Sequence, residues 1–240
     1  MKSVVRWAVA ALLTGTLLGA DADPPPGKDA LIRWLVAHQD DLDNVAFSDV
    51  VRAVTGKRVI PVDGKRDGRL LDKLGTALDA ALAALNDPKH TIHLAGRVNE
   101  ASRHIEDEIR RQVNQIPGWK CTIPLTREGK EQRSGYPDLR VVTGDGVILY
   151  LDPKLHEAAS RGSTLRTFYY EPRNLTGKIQ DDAIHLLVGV EHTGGGAKAM
   201  RLTKWELIDV SRIRVRLKAE FQASNADMYR PETIVRRSAE

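Results

Sequence analysis

A β-hairpin signal in the middle of the chain constrains the fold more than any other feature. Two short β-rich runs, Leu139–Val142 and residues 147–151, flank a Gly-Asp-Gly turn at 144–146. A turn centred on Asp145 places Asp138 directly opposite Asp152. Directly opposed residues share a face of the sheet, with Cβ atoms about 4.5–5.5 Å apart. The sequence therefore predicts two neighbouring carboxylates at the open end of one hairpin.

Alternation along the two strands separates an apolar face from a charged face, because side chains repeat with period two. The charged face brings Lys154 beside Asp152 and Asp138. The opposite face carries the four apolar residues expected to point into the core, Leu139, Val141, Leu149 and Leu151. Two carboxylates and an ammonium this close together are costly unless something binds there.

The chemistry that suits this charged group is metal-assisted hydrolysis of a phosphodiester. Mg²⁺ prefers carboxylate oxygens and keeps several of its waters. A bound metal can orient a water, lower its pKa and neutralise charge on the scissile phosphate. Lys154 can stabilise the developing negative charge or help to deprotonate the attacking water.

Pro137-Asp138, followed by Asp152-Pro153-Lys154, resembles the PD-(D/E)xK motif of the restriction-endonuclease-like nuclease superfamily. The resemblance covers about residues 96–192. It implies an α/β fold, a restriction-endonuclease-like mixed β-sheet core of five or six strands flanked by helices, with an α-helical N-terminal region. It also implies Mg²⁺ as cofactor, with Mn²⁺ as a substitute, and Asp138 and Asp152 as metal ligands. Pro153 departs from a plain strand and suggests a strand end or edge.

The resemblance also implies one further carboxylate, supplied by a helix that precedes the hairpin. Residues 96–116 carry apolar side chains at helical spacing, end at Pro117 and lead into a strand at 119–123. Glu106 lies at the border of the apolar stripe and is our choice for the helix acid that completes or extends the metal site. Glu108, on the opposite border, and Glu100, turned more to solvent, remain alternatives.

Basic and aromatic residues around the motif are candidates for contacts with a nucleic acid. One group lies just before the hairpin, and the other lies in a predicted strand within residues 161–173, which we expect to line the substrate groove. Such residues can hold phosphates and stack on bases, although the same alternation is typical of a plain strand. The substrate-binding candidates are Arg133, Ser134, Arg166, Tyr169 and Arg173.

Other segments predict the remaining elements. Residues 28–86 are typical of amphipathic helices, interrupted by a polar, solvated loop at 62–69. Residues 184–190 and 199–208 read as strands. Residues 213–221 alternate apolar and basic side chains, which predicts an outer strand with four cations on one face.

The first residues are typical of a secretory signal peptide, with Lys2 and Arg6 before an apolar run too short to span a bilayer comfortably. An uncleaved anchor is the alternative. We expect a secreted or periplasmic bacterial protein without stable membrane insertion after cleavage. The predicted organisation is a signal peptide at 1–22, a Pro-rich spacer at 23–27, a helical N-terminal region at 28–95, a PD-(D/E)xK nuclease-like domain at 96–223 and a C-terminal tail at 224–240.

Composition and missing motifs exclude several other classes. Cys121 is the single cysteine, so an intramolecular disulfide is impossible. His90 and His93 have no third ligand at a zinc spacing, and neither a phosphate-binding P-loop nor a nucleophilic Ser motif is present. A net charge of +4 agrees with a polyanionic partner.

The sequence therefore predicts an exported, metal-dependent nuclease that hydrolyses phosphodiester bonds, with DNA favoured over RNA as partner. A homodimer is compatible with it. The alternative is a catalytically silent secreted module that keeps the fold for binding or structure.

Overall fold

The computed structural model describes residues 27–95, 98–164, 167–173, 175–194, 200–220 and 222–236. The predicted signal peptide and Arg166 lie outside these residues. The chain divides into two compact units, one formed by Met1–Asp43 with Leu217–Glu240 and the other by Asn44–Arg216. These units divide the chain at places other than the predicted domain boundaries, which stay a prediction.

Most helices lie in the first half of the described chain and most strands in the second half. The helices are α1 (Lys28–Ala37), α2 (Phe47–Thr55), α3 (Gly64–Leu85), α4 (Val98–Val113) and α5 (Asn225–Met228). The strands are β1 (Val45–Ala46), β2 (Lys120–Thr122), β3 (Leu139–Val142), β4 (Ile148–Glu157), β5 (Ile184–Thr193), β6 (Arg201–Asp209) and β7 (Arg214–Val215). Within the described residues, no helix has both the length and the apolar character to cross a membrane.

The larger unit is built on a mixed five-stranded sheet in the order β2-β3-β4-β5-β6. Strands β4 and β5 run parallel, and the other neighbours are antiparallel. A separate two-stranded sheet joins β1 to β7. Helices pack against the five-stranded sheet, so the predicted α/β class with a mixed sheet flanked by helices is confirmed.

Two apolar clusters cover the sheet. The first joins α3 and α4 to the strands through residues such as Leu78, Ile105 and Leu151. The second is aromatic and includes Phe47, Tyr136 and Tyr150. Because side chains alternate along β4, Tyr150 lies on the same strand face as Asp152 and Lys154. The charged residues thus adjoin the aromatic cluster.

The hairpin and its neighbouring elements follow the sequence-based expectation. β3 and β4 pair in the predicted register, with Leu139 opposite Leu151 and Val142 opposite Ile148. The four residues assigned to the apolar face are all buried. The strands predicted at 184–190 and 199–208 correspond to β5 and β6, and the helix predicted at 96–116 corresponds to α4.

The predicted loop at 62–69 was wrong, because α3 begins at Gly64. Asp63 caps the helix, and its carboxylate accepts hydrogen bonds from the backbone N–H groups of Lys65 and Arg66, both at 2.9 Å. Asp67 is buried, accepts from the Asp63 N–H at 2.8 Å and pairs with Arg66. These local contacts turn a polar, glycine-containing segment into the first turns of a helix.

Two predicted strands were also wrong. Within the described part of that segment, residues 213–220, only Arg214 and Val215 form a strand, because their partner β1 is itself two residues long. No strand is present among residues 167–173. There, Phe168 and Tyr170 pack edge-on against Phe47 and therefore cover the aromatic cluster.

The smaller unit contains α1 and α5. The backbone N–H of Leu217 donates to the carbonyl of Leu42 at 2.9 Å and joins its two chain segments. Ser224 caps α5 by accepting a hydrogen bond from the backbone N–H of Asp227.

Candidate active site

The open end of the β3–β4 hairpin brings together the two aspartates of the motif and its lysine. Continuing the register beyond Leu139 and Leu151 by one residue places Asp138 opposite Asp152. The Lys154 ammonium contacts Oδ2 of Asp152 and lies 3.8 Å from Oδ2 of Asp138. The Asp152 side chain is 2% exposed and that of Lys154 is 25% exposed, so the cluster is open to solvent on the lysine side.

Pro153 lies inside β4 and not at its end. The strand continues to Glu157, and Pro153 pairs with Val188 of β5. Pairing between β4 and β3 ends at Leu151, so β4 beyond that residue pairs with only one neighbour among the described strands. This one-sided stretch tolerates a residue without a backbone donor.

Helix α4 supplies Glu106 to the same region. Its neighbour Ile105 and the next-turn residue Ile109 are buried against the sheet, which puts Glu106 at the edge of the buried face. Burial raises the pKa of Glu106, the carboxylates of Asp107 and Asp152 add to the rise, and Arg133 and Lys154 oppose it. Glu106 is therefore in electrostatic contact with the aspartate–lysine cluster.

The two alternative helix acids lie elsewhere. The Glu108 carboxylate accepts hydrogen bonds from Arg111 at 2.6 and 2.8 Å and from Gln112 at 2.8 Å. Glu100 is exposed near the start of α4. Asp152 and Lys154 influence the pKa of Glu106, whereas burial, Arg111 and Gln112 are the main influences on the pKa of Glu108.

Burial and like charge shift the protonation of the cluster. Burial and the neighbouring Asp152 carboxylate raise the pKa of Asp138 to about 8, against the opposing effect of Lys154. Burial alone would lower the pKa of Lys154, but the carboxylates of Asp152 and Asp138 outweigh it and raise that pKa. Without a bound cation, Asp138 is thus largely protonated at neutral pH.

Lys178 is a charged residue of this site that the sequence did not reveal. It is 2% exposed, and its pKa is lowered by burial, while Asp138, Asp152 and Glu106 act in the opposite direction. Lys178 belongs to a segment without regular structure, far along the chain from the motif. Neither periodicity nor motif spacing singles it out.

Arg133 connects the segment before the hairpin to α4. Its guanidinium donates to Oδ1 of Asp107 at 2.8 Å and lies 3.7 Å from Oε2 of Glu106. Ser134 follows, and both its carbonyl and its hydroxyl oxygen accept from the Gln132 amide. These two substrate-binding candidates therefore lie on the approach to Asp138.

Tyr169 and Arg173 line a cavity of about 170 Å³ together with Ser134 and Lys178. Tyr169 is 59% exposed, and Arg173 pairs with Glu171 at 2.7 Å. These candidates are thus close to the segment that carries Asp138, while Arg166 is outside the described residues.

Tyr136 anchors the motif from the buried side. Its hydroxyl is 2.7 Å from Nδ1 of His185, and both side chains are buried. Burial lowers the pKa of His185 to about 3, so the imidazole is neutral. The residue preceding Pro137-Asp138 is thereby hydrogen-bonded to the inner strand β5.

Two cavities differ in their relation to this cluster. A cavity of about 510 Å³ begins at Lys154 and is lined by His156, Arg161 and Gly189, among others. A larger cavity of about 890 Å³ lies beside α3 and the hairpin turn, and none of the cluster residues line it. Of these two, only the 510 Å³ cavity is lined by a residue of the aspartate–lysine cluster.

The donor set fits Mg²⁺ better than zinc. Among the residues that the structure describes, no group of three or more His, Cys, Asp or Glu side chains is arranged to hold a metal ion. Asp138 and Asp152 offer hard carboxylate oxygens on either side of one ammonium. Mg²⁺ is commonly held by one or two carboxylates plus waters and substrate phosphates, whereas structural zinc sites take four protein ligands.

Residues 41–232 match the model of the type II restriction enzyme MjaV family. The chain belongs to this family. It is 31% identical over 209 residues to the type II restriction enzyme MjaV of Methanocaldococcus jannaschii, covering 81% of this chain and 89% of the relative. No solved structure matches the chain significantly. The family match begins after the predicted signal peptide and spacer.

We expect Asp138 to make this MjaV-family protein less stable as the pH rises, in the presence of a chelator. Its folded-state pKa of about 8 exceeds the ordinary value, so its stabilising contribution is complete below about pH 4 and disappears as pH rises through about 8. Asp138→Asn removes most of this fall, of the order of a few kcal/mol. Urea unfolding at a series of pH values measures it.

Asp145→Asn is the matched control, because hydrogen bonding to Thr143 lowers the pKa of this exposed turn carboxyl. Asp145 is ionised over most of the pH range in which Asp138 affects stability. We therefore expect the free energy of unfolding of Asp145→Asn to depend on pH as that of wild type does. Identical pH dependence in wild type and Asp138→Asn would contradict the assignment of a raised pKa to Asp138.

Proposed function

We propose that this chain is a Mg²⁺-dependent endonuclease of the PD-(D/E)xK superfamily that hydrolyses phosphodiester bonds in DNA. The observation that carries the proposal is the meeting of Asp138, Asp152 and Lys154 at one hairpin end, with Glu106 approaching from α4. Membership of a type II restriction enzyme family supports DNA as the substrate.

Asp138 and Asp152 would hold the Mg²⁺, with Mn²⁺ as a substitute. When bound, the ion supplies Lewis-acid stabilisation of the phosphate charge and a water of lowered pKa. Glu106 extends the site through its position beside Asp152, where its carboxylate can accept a hydrogen bond from a water. The raised pKa of Asp138 means that this carboxyl must release its proton before it can act as a ligand.

Lys154 acts on the phosphate and the attacking water. Its contacts with Asp152 and Asp138 fix the ammonium, which carries three N–H donors, at the rim of the cluster. The oxygen of a water bonds to phosphorus as one P–O ester bond breaks; the water gives up a proton to solvent and the departing ester oxygen takes one up from solvent. The ammonium stabilises the negative charge that develops on the phosphate oxygens.

The DNA contacts are proposed for the residues near Asp138. Arg133, Ser134, Tyr169 and Arg173 lie within or beside the segment leading to the hairpin and its small cavity, and Arg166 keeps its sequence-based assignment. Cationic and hydroxyl groups suit phosphate oxygens, and an exposed tyrosine suits base stacking. A homodimer is part of this proposal, because a duplex offers two strands to cut.

The decisive experiment is plasmid cleavage by purified protein with Mg²⁺, Mn²⁺ or EDTA. We expect nicking and linearisation with either metal, none in EDTA, and no detectable activity in Asp152→Ala. Lys154→Met should lower the rate by about 10²–10³-fold, the usual effect of removing one charge-stabilising donor. Asp145→Asn, at the far end of the same hairpin, retains wild-type cleavage.

Absence of cleavage by folded wild type with metal present would overturn the nuclease proposal and favour the silent binding module. Activity that persists in Asp152→Ala would mean that the carboxylate cluster is not the active site.

A second prediction distinguishes the half-buried Glu106 of α4 from the buried Glu108. Glu106→Gln should lower the cleavage rate by about 10–100-fold with little change in stability, because this carboxylate adjoins the cluster. Glu108→Gln should instead cost about 1 kcal/mol in the free energy of unfolding through its partly exposed pair with Arg111, and leave cleavage near wild type. Urea unfolding and single-turnover cleavage measure both variants. The reverse pattern would assign the helix acid to Glu108.

We also propose that residues 1–22 direct export from a bacterial cell, on the strength of their basic start and apolar run. Expression in a bacterial host, followed by fractionation and intact-mass analysis, tests this. The expected species is exported and begins at residue 23. Cytoplasmic protein that retains Met1 would refute export without affecting the nuclease proposal.

A further inference from the structure

The backbone around Lys178 is fixed by contacts on both sides. The Gly177 carbonyl accepts from the N–H of Arg127 at 3.1 Å. The Gln180 N–H donates to the Tyr150 hydroxyl at 3.1 Å, and its side-chain amide donates to the Leu125 carbonyl at 2.7 Å. The base of the Lys178 side chain is therefore held close to the sheet.

The ammonium of Lys178 ends at the segment that leads into the motif. Its Nζ donates to the backbone carbonyls of Gln132 at 3.3 Å and Arg133 at 3.4 Å. Among the described residues it makes no ion pair within 4 Å of a carboxylate. Burying an ammonium whose hydrogen-bond partners are carbonyls is costly. Its position near Asp138 and Asp152 therefore suggests that Lys178 has a role in the site.

Position along the chain indicates that role. Residues 132 and 133 carry the two carbonyls, Arg133 reaches back to Glu106 and Asp107 on α4, and Asp138 follows five positions later. Lys178 thus holds the segment at 132–133, which lies between α4, the helix that carries Glu106, and Asp138 at the start of β3. Replacing it would leave two carbonyls without their donor and loosen the approach to Asp138.

We propose that Lys178 is a positioning residue of the active site, whose ammonium fastens residues 132–133 so that Arg133 reaches α4 and Asp138 is held opposite Asp152. This inference rests on the proposed nuclease function. Lys178 is 2% exposed and its ammonium donates to the carbonyls of Gln132 and Arg133, so we assign it no contact with the substrate. It acts through the segment that it holds.

The substitution Lys178→Met distinguishes a positioning role of the lysine from a purely structural one. Methionine fills a volume similar to that of lysine and removes the cost of burying an ammonium that has no carboxylate of the described residues within 4 Å, so we expect the fold to persist. A purely structural lysine would therefore leave cleavage unchanged in Lys178→Met. A positioning lysine would lower the rate while the fold persists.

Single-turnover cleavage of DNA with Mg²⁺ is compared for wild type, Lys178→Met, Lys178→Arg and the exposed control Lys89→Met. We expect Lys178→Met to lower the rate by about 10–100-fold, as the loss of a residue that orients a ligand typically does. The reaction amplitude stays at the wild-type value, since the fraction of folded enzyme does not depend on this contact. Lys178→Arg, which keeps the charge and donors, recovers most of the rate. A wild-type rate in Lys178→Met overturns the proposal.

Trypsin cleavage after Arg133 gives a readout that does not require activity. We expect this site to be cut several times faster in Lys178→Met than in wild type or Lys89→Met, and to be protected again in Lys178→Arg. If trypsin cuts after Arg133 no faster in Lys178→Met than in wild type, the positioning role of Lys178 is overturned, even if wild type cuts no DNA. Failure of this inference is therefore distinguishable from failure of the proposed nuclease function. If Lys178→Met does not melt cooperatively, Lys178→Gln is measured in its place with the same outcomes.

Discussion

The register of the β3–β4 hairpin is the constraint on which the rest of the site depends. A slip of one residue would turn Asp152 and Lys154 toward the cluster that contains Leu151 and move Leu151 to the charged face, because the side-chain period of a strand is two. The buried pairing of Leu139 with Leu151 prevents that slip. The same packing that stabilises the sheet therefore fixes the carboxylates opposite each other.

Around this hairpin, each remaining charge comes from a different element. Glu106 comes from α4, Arg133 from the segment before β3, and Lys178 from the segment before β5. Several like charges in a half-buried site are tolerable because cations are interleaved with them. The site is thus a joint product of the sheet, one helix and two irregular segments, with the charged groups balanced across them.

The sequence was sufficient for elements whose signal is local. The Gly-Asp-Gly turn predicts the register of β3 and β4, and the apolar run predicts β5. Errors arose where the outcome depends on a distant partner: residues 213–221 alternate as a strand does, yet β1 offers only two residues to pair with. Lys178 was missed for the same reason, because its role follows from the carbonyls of Gln132 and Arg133, which no spacing rule connects to it.

The parallel pairing of β4 with β5 has an evolutionary consequence. Parallel neighbours cannot be joined by a tight turn, so the chain needs a long crossover between them. Here that crossover occupies residues 158–183 and carries the exposed Tyr169 and Arg173. Its outer part can lengthen, shorten or change composition without altering the hairpin register. This architecture would therefore let the proposed DNA-contacting residues change while the aspartate–lysine cluster keeps its geometry.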